Sequence, residues 1–428
     1  MTAADASAAP NWSFRADEAA RAVTRLFGQR LFFLPGTHIA AVARPSGRLK
    51  NLARPWHYWW QAHYLDCLVD TGRRELGSDT RPGDRPGAGF DGENRPSAGQ
   101  LASRLVTGIR LRNFLTVVNN YYDDMAWLAL ATLRLDKLAE DTRRPAGRGR
   151  NAKVLRSLTL QFDSASTEDL GGGTFWSKKR DFKNTPATAP VALYYARTGN
   201  PAKAQALLDW LDARLYDPEQ GMYRDGLRIS STGEAVLEGA IYTYNQGPVL
   251  GALLELGGEA NLARAAELVA SVARSLTLPA PLMGRSATVL RCEGTGDGGL
   301  FTGILVRYLA LAARDERLPA ETRATAGMLV NDTAEAFWEG QRVVPAQEAL
   351  ARAGGRLVFS TRPELPARRS YPGGAAVELS TQLQAWMVLE AAASIAASTA
   401  AANLAANPAA PEAQPADRPQ SDVSTPDN

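Results

Sequence analysis

Two kinds of helical pattern alternate along this chain, and the alternation leaves few folds open. Residues 261–276 place Leu262, Ala265, Leu268, Val269, Val272 and Leu276 on one face. Arg264, Glu267, Ser271 and Arg274 take the other, so this is an amphipathic surface helix. Residues 125–135 (MAWLALATLRL) are apolar nearly all round, as a helix buried on both sides must be. Read this way, the sequence predicts about twelve helices. Outer ones begin near Phe14, Ser97, Asn151, Pro201, Asn261 and Pro319, and inner ones near Trp56, Tyr122, Thr185, Thr243, Gly299 and Leu379.

Each inner helix opens on a polar or aromatic cluster: WHYWWQ, NNYYDD, KNTP, YTYNQG, GDGGLF and LSTQ. The clusters recur at intervals of roughly 55–80 residues, one helical hairpin apiece. Six hairpins whose inner N-termini gather at one end describe an all-α (α/α)6 barrel with the clusters on its concave face. An irregular bundle with accidental polar caps would need the coincidence six times. One catalytic domain over residues 12–400 is expected. Residues 1–11 and the Ala/Pro-rich tail 401–428 read as disordered, because they lack apolar periodicity. Residues 77–99, which include RPGDRPGAGFDGENRPSAG, read as a long irregular loop.

Composition closes off several classes. Lys+Arg is 48 against Asp+Glu 45, a net charge of +3, so bulk charge gives no case for nucleic-acid or membrane-surface binding. The basic residues are 41 Arg and 7 Lys, a bias expected of GC-rich bacterial coding. Two Cys and three His exclude a disulfide scaffold or a Cys-rich zinc module. No unbroken apolar run of about 18 residues occurs, so no membrane span is expected. The first 14 residues lack a basic segment followed by an apolar one, which points to a cytoplasmic location.

The sharpest chemical feature is Asn119-Asn120-Tyr121-Tyr122-Asp123-Asp124-Met125-Ala126-Trp127. One acid at a helix start is a cap or a dipole partner. A second beside it adds repulsion, which raises one pKa and leaves the other lower. That split supplies a nucleophilic carboxylate and a protonated general acid, the pair that glycoside hydrolysis uses, without saying which is which. Asn245 and Gln246 offer paired amide donors and acceptors for sugar hydroxyls, and Tyr244 a stacking face. Of the aromatics at 56–60, only one or two can face a cleft; Trp59 and Trp60 are taken as candidates, with Tyr122 beside the acids. Asp225 and Asp297 stand in loops ahead of inner helices, as turn acids or substrate contacts. The GDGG loop lacks the alternating acids of a calcium loop, and the histidines form no metal spacing, so neither metal nor cofactor is expected.

The blocks NNYYDDMAWLALA, KNTPATAPVALYYART, YTYNQGPVLGALLEL, GDGGLFTGILVRYLA and ELSTQLQAW resemble, in this order, the motifs of glycoside hydrolase family 76. The resemblance runs from about Trp12 to Ala397. It implies an (α/α)6 endo-α-1,6-mannanase, with Asp123 as nucleophile and Asp124 as acid/base. Asp225, Tyr244, Asn245 and Gln246 would contact the glycone, as would Asn184 and Asp297. The implied partner is an α-1,6-linked manno-oligosaccharide or mannan, met by a monomer without nucleic acid. The family is predominantly secreted or surface-bound, unlike the location expected from the first residues. Sugar epimerases on similar barrels depend on several histidines, whereas all three here precede residue 64. DDMAW lacks the third acid of a terpene-cyclase magnesium motif, and two Cys cannot supply the ligands of a zinc toroid. A non-catalytic glycan-binding protein is the remaining alternative, although a binder has no need of two repelling carboxylates.

Overall fold

The computed structural model describes residues 10–45, 56–77, 96–143, 147–282 and 284–406. Among the described residues, twelve helices of 13 residues or more form two layers. The outer ones are α1 (Trp12–Phe27), α3 (Ala98–Arg112), α5 (Arg148–Ala165), α7 (Pro201–Arg214), α9 (Glu259–Ser275) and α11 (Ala320–Glu339). The inner ones are α2 (Tyr58–Leu76), α4 (Tyr122–Asp141), α6 (Thr185–Arg197), α8 (Thr243–Leu256), α10 (Gly298–Arg314) and α12 (Leu379–Ala406). Each inner helix packs on the next, and α12 packs back on α2, which closes the ring. Four of the six outer helices (α1, α3, α7 and α11) lie in grooves between two inner neighbours, and α5 and α9 pack mainly on the inner helix before them. Burial follows the pattern: α4 hides residues 125–132 without a break, whereas α9 hides only Ala265, Leu268, Val269, Ser271 and Val272.

The helix α12 runs to Ala406, past the boundary expected at residue 400. The rest of the tail, residues 1–9, and residues 78–95 of the long loop lie outside the described residues. The segment Leu379–Ala405 is long and apolar enough in composition to cross a membrane, although it holds no unbroken apolar run of about 18 residues. Half of it is buried as the sixth inner helix. Small residues set the tightest contacts in the ring. A Cβ on Gly251 of α8 would lie 2.5 Å from the Tyr308 ring of α10, and one on Gly303 of α10 would lie 3.0 Å from Gln384 Cα of α12. Only glycine leaves room for these contacts.

Ion pairs bind α2 to its neighbours inside this apolar frame. Arg134 of α4 pairs with Asp66 and Asp70 of α2, and Arg307 of α10 pairs with the same two acids. Arg74 joins Asp17 of α1 (2.5 Å) to Glu390 of α12 (2.9 Å). Charges this deep persist because each has an opposite partner.

The connections from outer to inner helices carry short strands that the helical reading does not identify. In one sheet β1 (Phe182–Asn184) pairs with β2 (Gly226–Ile229), which pairs with β3 (Ala235–Glu238), all antiparallel. A hairpin of β4 (Thr277–Leu282) and β5 (Arg285–Leu290) packs against α11.

Four of these connections are held by one device. The fourth residue of an inner helix reaches back and bonds both the N–H and the C=O of a single loop residue. Gln61 does so to Ala40 (2.9 and 3.1 Å), Gln246 to Tyr223 (2.9 and 2.9 Å) and Gln382 to Phe359 (2.9 and 2.9 Å). Thr188 makes the same pair of bonds to Thr174 (3.1 and 3.5 Å). A buried backbone group left without a partner costs about 1–3 kcal/mol, so each clamp fixes a loop over the barrel mouth. Gln246→Met, near-isosteric but unable to hydrogen-bond, is expected to lower unfolding stability by about 2–4 kcal/mol in urea denaturation.

Candidate active site

The six inner N-termini meet at the barrel mouth, and α4 brings the acid pair there. Tyr121 caps α4 in an extended conformation, which makes Asp123 and Asp124 the second and third helical residues. The Asp124 backbone N–H donates to Asp123 Oδ1 (2.8 Å), and Trp176 Nε1 donates to Asp123 Oδ2 (2.9 Å). Asp124 Oδ2 accepts from Asn119 Nδ2 at 2.6 Å. Both carboxyls are partly exposed and otherwise enclosed by protein.

That enclosure dominates their titration. Burial pushes Asp123 up to about 7, the nearby Asp225 carboxylate adds to the rise, and the Asp124 N–H and Trp176 indole oppose it. Asp124 rises well above the usual carboxylate range, through burial first and then the charge of Asp123, with Asn119 opposing. Asp123 therefore has the better-stabilised carboxylate and Asp124 keeps the proton.

Trp176 reaches Asp123 on a hairpin strapped across the start of α4. Tyr122 N–H donates to Trp176 O, and Trp176 N–H donates to Phe182 O, each at 2.8 Å. The hairpin is anchored by Lys183, whose side chain is wholly buried. Its ammonium lies 2.7–3.1 Å from the carbonyl oxygens of Thr167, Asp169, Gly172 and Gly173 and from Thr167 Oγ1. Five oxygens around one cation form a cage that an ordinary loop offers to a bound ion. Burial lowers this ammonium to about 8, with Asp169 and Glu168 resisting the drop.

Asp225 follows the clamped Tyr223 by two residues. Its Oδ1 accepts from Asn245 Nδ2 (3.3 Å), and burial raises it to about 6. Asn245 is buried, and its Oδ1 has no partner. An aromatic cluster stands close to the acids, near enough for the charges of Asp225 and Asp123 to act on Tyr244. Tyr244 stacks on Phe301 with centroids 3.9 Å apart and planes at 17°; Tyr242 and Trp59 lie 5.6 and 6.4 Å from the same ring. Asp297, its side chain 59% exposed, accepts from Trp59 Nε1 (3.2 Å) and Trp60 Nε1 (2.9 Å). His57 stacks on Trp60 at 4.2 Å.

The mouth thus brings together Asp123, Asp124, Asp225, Tyr244, Asn245, Asp297 and Trp59. Four expected contacts stand elsewhere or differently. Gln246 is wholly buried and spends its amide on the Tyr223 and Tyr242 backbone, so it is a loop clamp. Asn184 is buried and caps α6 through Ala187 N–H (3.1 Å). Tyr122 is 3% exposed and belongs to the core, while Tyr121, 41% exposed, packs on Trp176. Trp60 is 2% exposed and reaches the site only through its indole N–H. Trp176, Phe301 and Asn119 complete the site and are not among the contacts expected from the sequence. The first lies in a loop without periodicity, 53 residues from its partner. Among the described residues, no group of three or more His, Cys, Asp or Glu could hold a metal ion.

A carboxylate beside a carboxylic acid, close to an aromatic cluster, is the equipment of a glycoside hydrolase. The profile of glycosyl hydrolase family 76 matches residues 38–348, and the chain belongs to that family. The α-1,6-mannanase of Salegentibacter sp. HEL1_6 has the same fold, with TM-score 0.68, 26% identity and coverage of 90% of this chain and 100% of that one. An inactive variant of it, with two consecutive aspartates replaced by alanine, is known in complex with α-1,6-mannotetrose (TM-score 0.69, 27% identity, coverage 90% and 100%). The Dfg5 protein of Chaetomium thermophilum, in complex with glucosamine, shares the fold at TM-score 0.55 and 17% identity, with 90% of each chain covered. No curated protein matches the chain in sequence.

Both acids are less acidic in the folded chain than in the unfolded one. Such a group contributes its stability below the unfolded carboxylate pKa near 4, and that stability is lost as pH rises through the folded pKa. Asp123→Asn plus Asp124→Asn is therefore expected to raise the melting temperature at pH 8. The gain should vanish toward pH 4, as melting curves across that range would show.

Proposed function

We propose that this hydrolase is a retaining endo-α-1,6-mannanase, acting on mannan or lipomannan-type polymers. The observation that carries the reading is the unequal support of the acid pair. Asp123 has two donors favouring its charge, and Asp124 lies beside that charge with one. Asp123 then attacks the anomeric carbon while Asp124 gives its proton to the departing glycosidic oxygen. Asp124 next takes a proton from water, which releases the sugar from Asp123. The Salegentibacter enzyme is inactive when two consecutive aspartates are replaced, and Asp123–Asp124 are the only consecutive aspartates in this chain. Its complexes with α-1,6-manno-oligosaccharides support the substrate class. The unpartnered Asn245 Oδ1 and the Asp225 carboxylate suit sugar hydroxyls, and Tyr244, Phe301 and Trp59 suit the apolar face of the ring.

NMR of the first product from α-1,6-mannan should show the α anomer; β product at the outset would refute retention. Asp124→Ala should keep measurable turnover of an aryl mannoside with a good leaving group, and Asp123→Ala should not.

The pH profile tests each acid separately. The free enzyme works with Asp123 ionised and Asp124 protonated, so kcat/KM should rise on the acid side and fall on the alkaline side. Trp176→Phe removes a donor that favours the Asp123 carboxylate and should move the acid limb to higher pH. Asn119→Ala removes the donor on Asp124 and should move the alkaline limb to higher pH. If each substitution moved the other limb, the two roles would be exchanged.

A further inference from the structure

Two neighbouring connections at the barrel mouth carry apolar side chains that touch little else. In the turn after α1, Phe32 is 55% exposed, Phe33 81% and Leu34 46%; in the turn after α3, Phe114 is 90% exposed and Leu115 64%. Both turns run from an outer helix to the next inner one and so lie on the side where the inner N-termini open. The second is tied directly to that rim: Tyr58 Oη of α2 donates to Val117 O at 2.6 Å, and the Arg112 guanidinium lies 5.9 Å from the Trp56 ring centroid. The first lies along α3, where His38 N–H donates to Arg104 O at 3.1 Å.

Neither turn is slack. Thr37 Oγ1 accepts from Leu31 N–H (3.1 Å) and donates to Leu34 O (2.6 Å). Arg110 Nε donates to Leu115 O (2.9 Å), and Asn113 Nδ2 donates to Thr116 O and Val118 O (3.1 and 3.0 Å). These bonds hold Phe32, Phe33, Phe114 and Leu115 at φ of 46°, 63°, 55° and 67°, a region bulky side chains avoid. Strain that the surroundings enforce points to a use for the conformation it preserves.

The charge around the tips is one-sided. Residues 28–45 and 96–122 contain no Asp or Glu, and Arg30, Arg104 and Arg110 are exposed there, in a chain whose overall balance is only +3. We propose that these two turns form a docking surface for an anionic lipid membrane. The rings would enter the headgroup boundary, the arginines would pair with anionic headgroups, and the cleft would open toward the membrane. Separate protruding tips ringed by cations fit an interface that yields around each ring, and two such weak signals together give stable attachment. This inference stands apart from the mannanase reading, because vesicle binding requires no hydrolysis.

The test is flotation of the full-length protein with vesicles of phosphatidylcholine alone or with about one third phosphatidylglycerol. Binding to the anionic vesicles is expected, weakening as salt rises. Phe33→Asn plus Phe114→Asn should lower the partition coefficient at least about tenfold. Asparagine accepts the left-handed backbone, so the melting temperature should hold or rise and unfolding could not explain the loss. Arg30→Ser plus Arg104→Ser should remove the salt-dependent part of binding. No binding at low salt, equal binding to both compositions, or unchanged binding by the phenylalanine variant would each overturn the proposal. Self-association abolished by that variant, without vesicle binding, would assign the surface to a second copy of the chain.

Discussion

The site depends on a side chain that bonds a single loop residue twice. An inner helix begins in the barrel wall, and its fourth residue turns back to hold the main chain that led into it. Two of the four clamps have a direct consequence at the acids. Thr188 fixes Thr174, and two residues on stands Trp176, the donor to Asp123. Gln246 fixes Tyr223, and two residues on stands Asp225, whose charge raises Asp123. The donor and the neighbouring charge that tune Asp123 therefore come from loops whose position is set by a rigid helix. A loop free to sample other positions would hold neither the indole nor the carboxylate at a defined distance.

The interior handles charge in two opposite ways. Deep between α2, α4 and α10, four charges balance as two acids and two arginines. Lys183 instead meets no carboxylate within its cage; carbonyl dipoles solvate its ammonium and tie the 167–173 turn to β1. The mouth is the exception to this compensation. Among the described residues, Asp123, Asp124, Asp225 and Asp297 gather there without an arginine or lysine as a hydrogen-bond partner. A cation beside Asp124 would lower its pKa and draw off the proton that its proposed acid role requires. The fold thus accepts an unstable arrangement at its mouth and compensates it with balanced pairs elsewhere.

The helical frame was legible because burial writes itself into periodicity. All six inner starts read from the sequence fall within two residues of the helices observed. The acid pair was legible because repulsion makes adjacent carboxylates at a buried helix start conspicuous. Gln246 departs from its expected role for a chemical reason: a glutamine amide matches a peptide group as well as a pair of sugar hydroxyls. A signal was available in the recurrence of Gln within WHYWWQ, YTYNQG and LSTQ, since one sugar ring has no use for three widely separated amides. The exposed ring is Tyr121 and not the expected Tyr122, because the extended cap at Tyr121 sets which ring turns outward. Trp176 could not be found from periodicity, since its contact with Asp123 is made by a hairpin folding across a distant helix.

The two walls of the mouth respond differently to what enters between them. The aromatic wall of Tyr244, Phe301, Tyr242 and Trp59 is held by ring packing, which no change of protonation disturbs. The acid wall is held by hydrogen bonds whose strength follows the charge on Asp123 and Asp124. A sugar ring laid on the aromatic side displaces water from the acid side. Less water penalises charge on both carboxyls, and most on the one with fewer donors. Asp124 then holds its proton more firmly, while the Trp176 indole and the Asp124 N–H continue to support charge on Asp123. Occupancy of the cleft therefore sharpens the difference in proton affinity between Asp123 and Asp124.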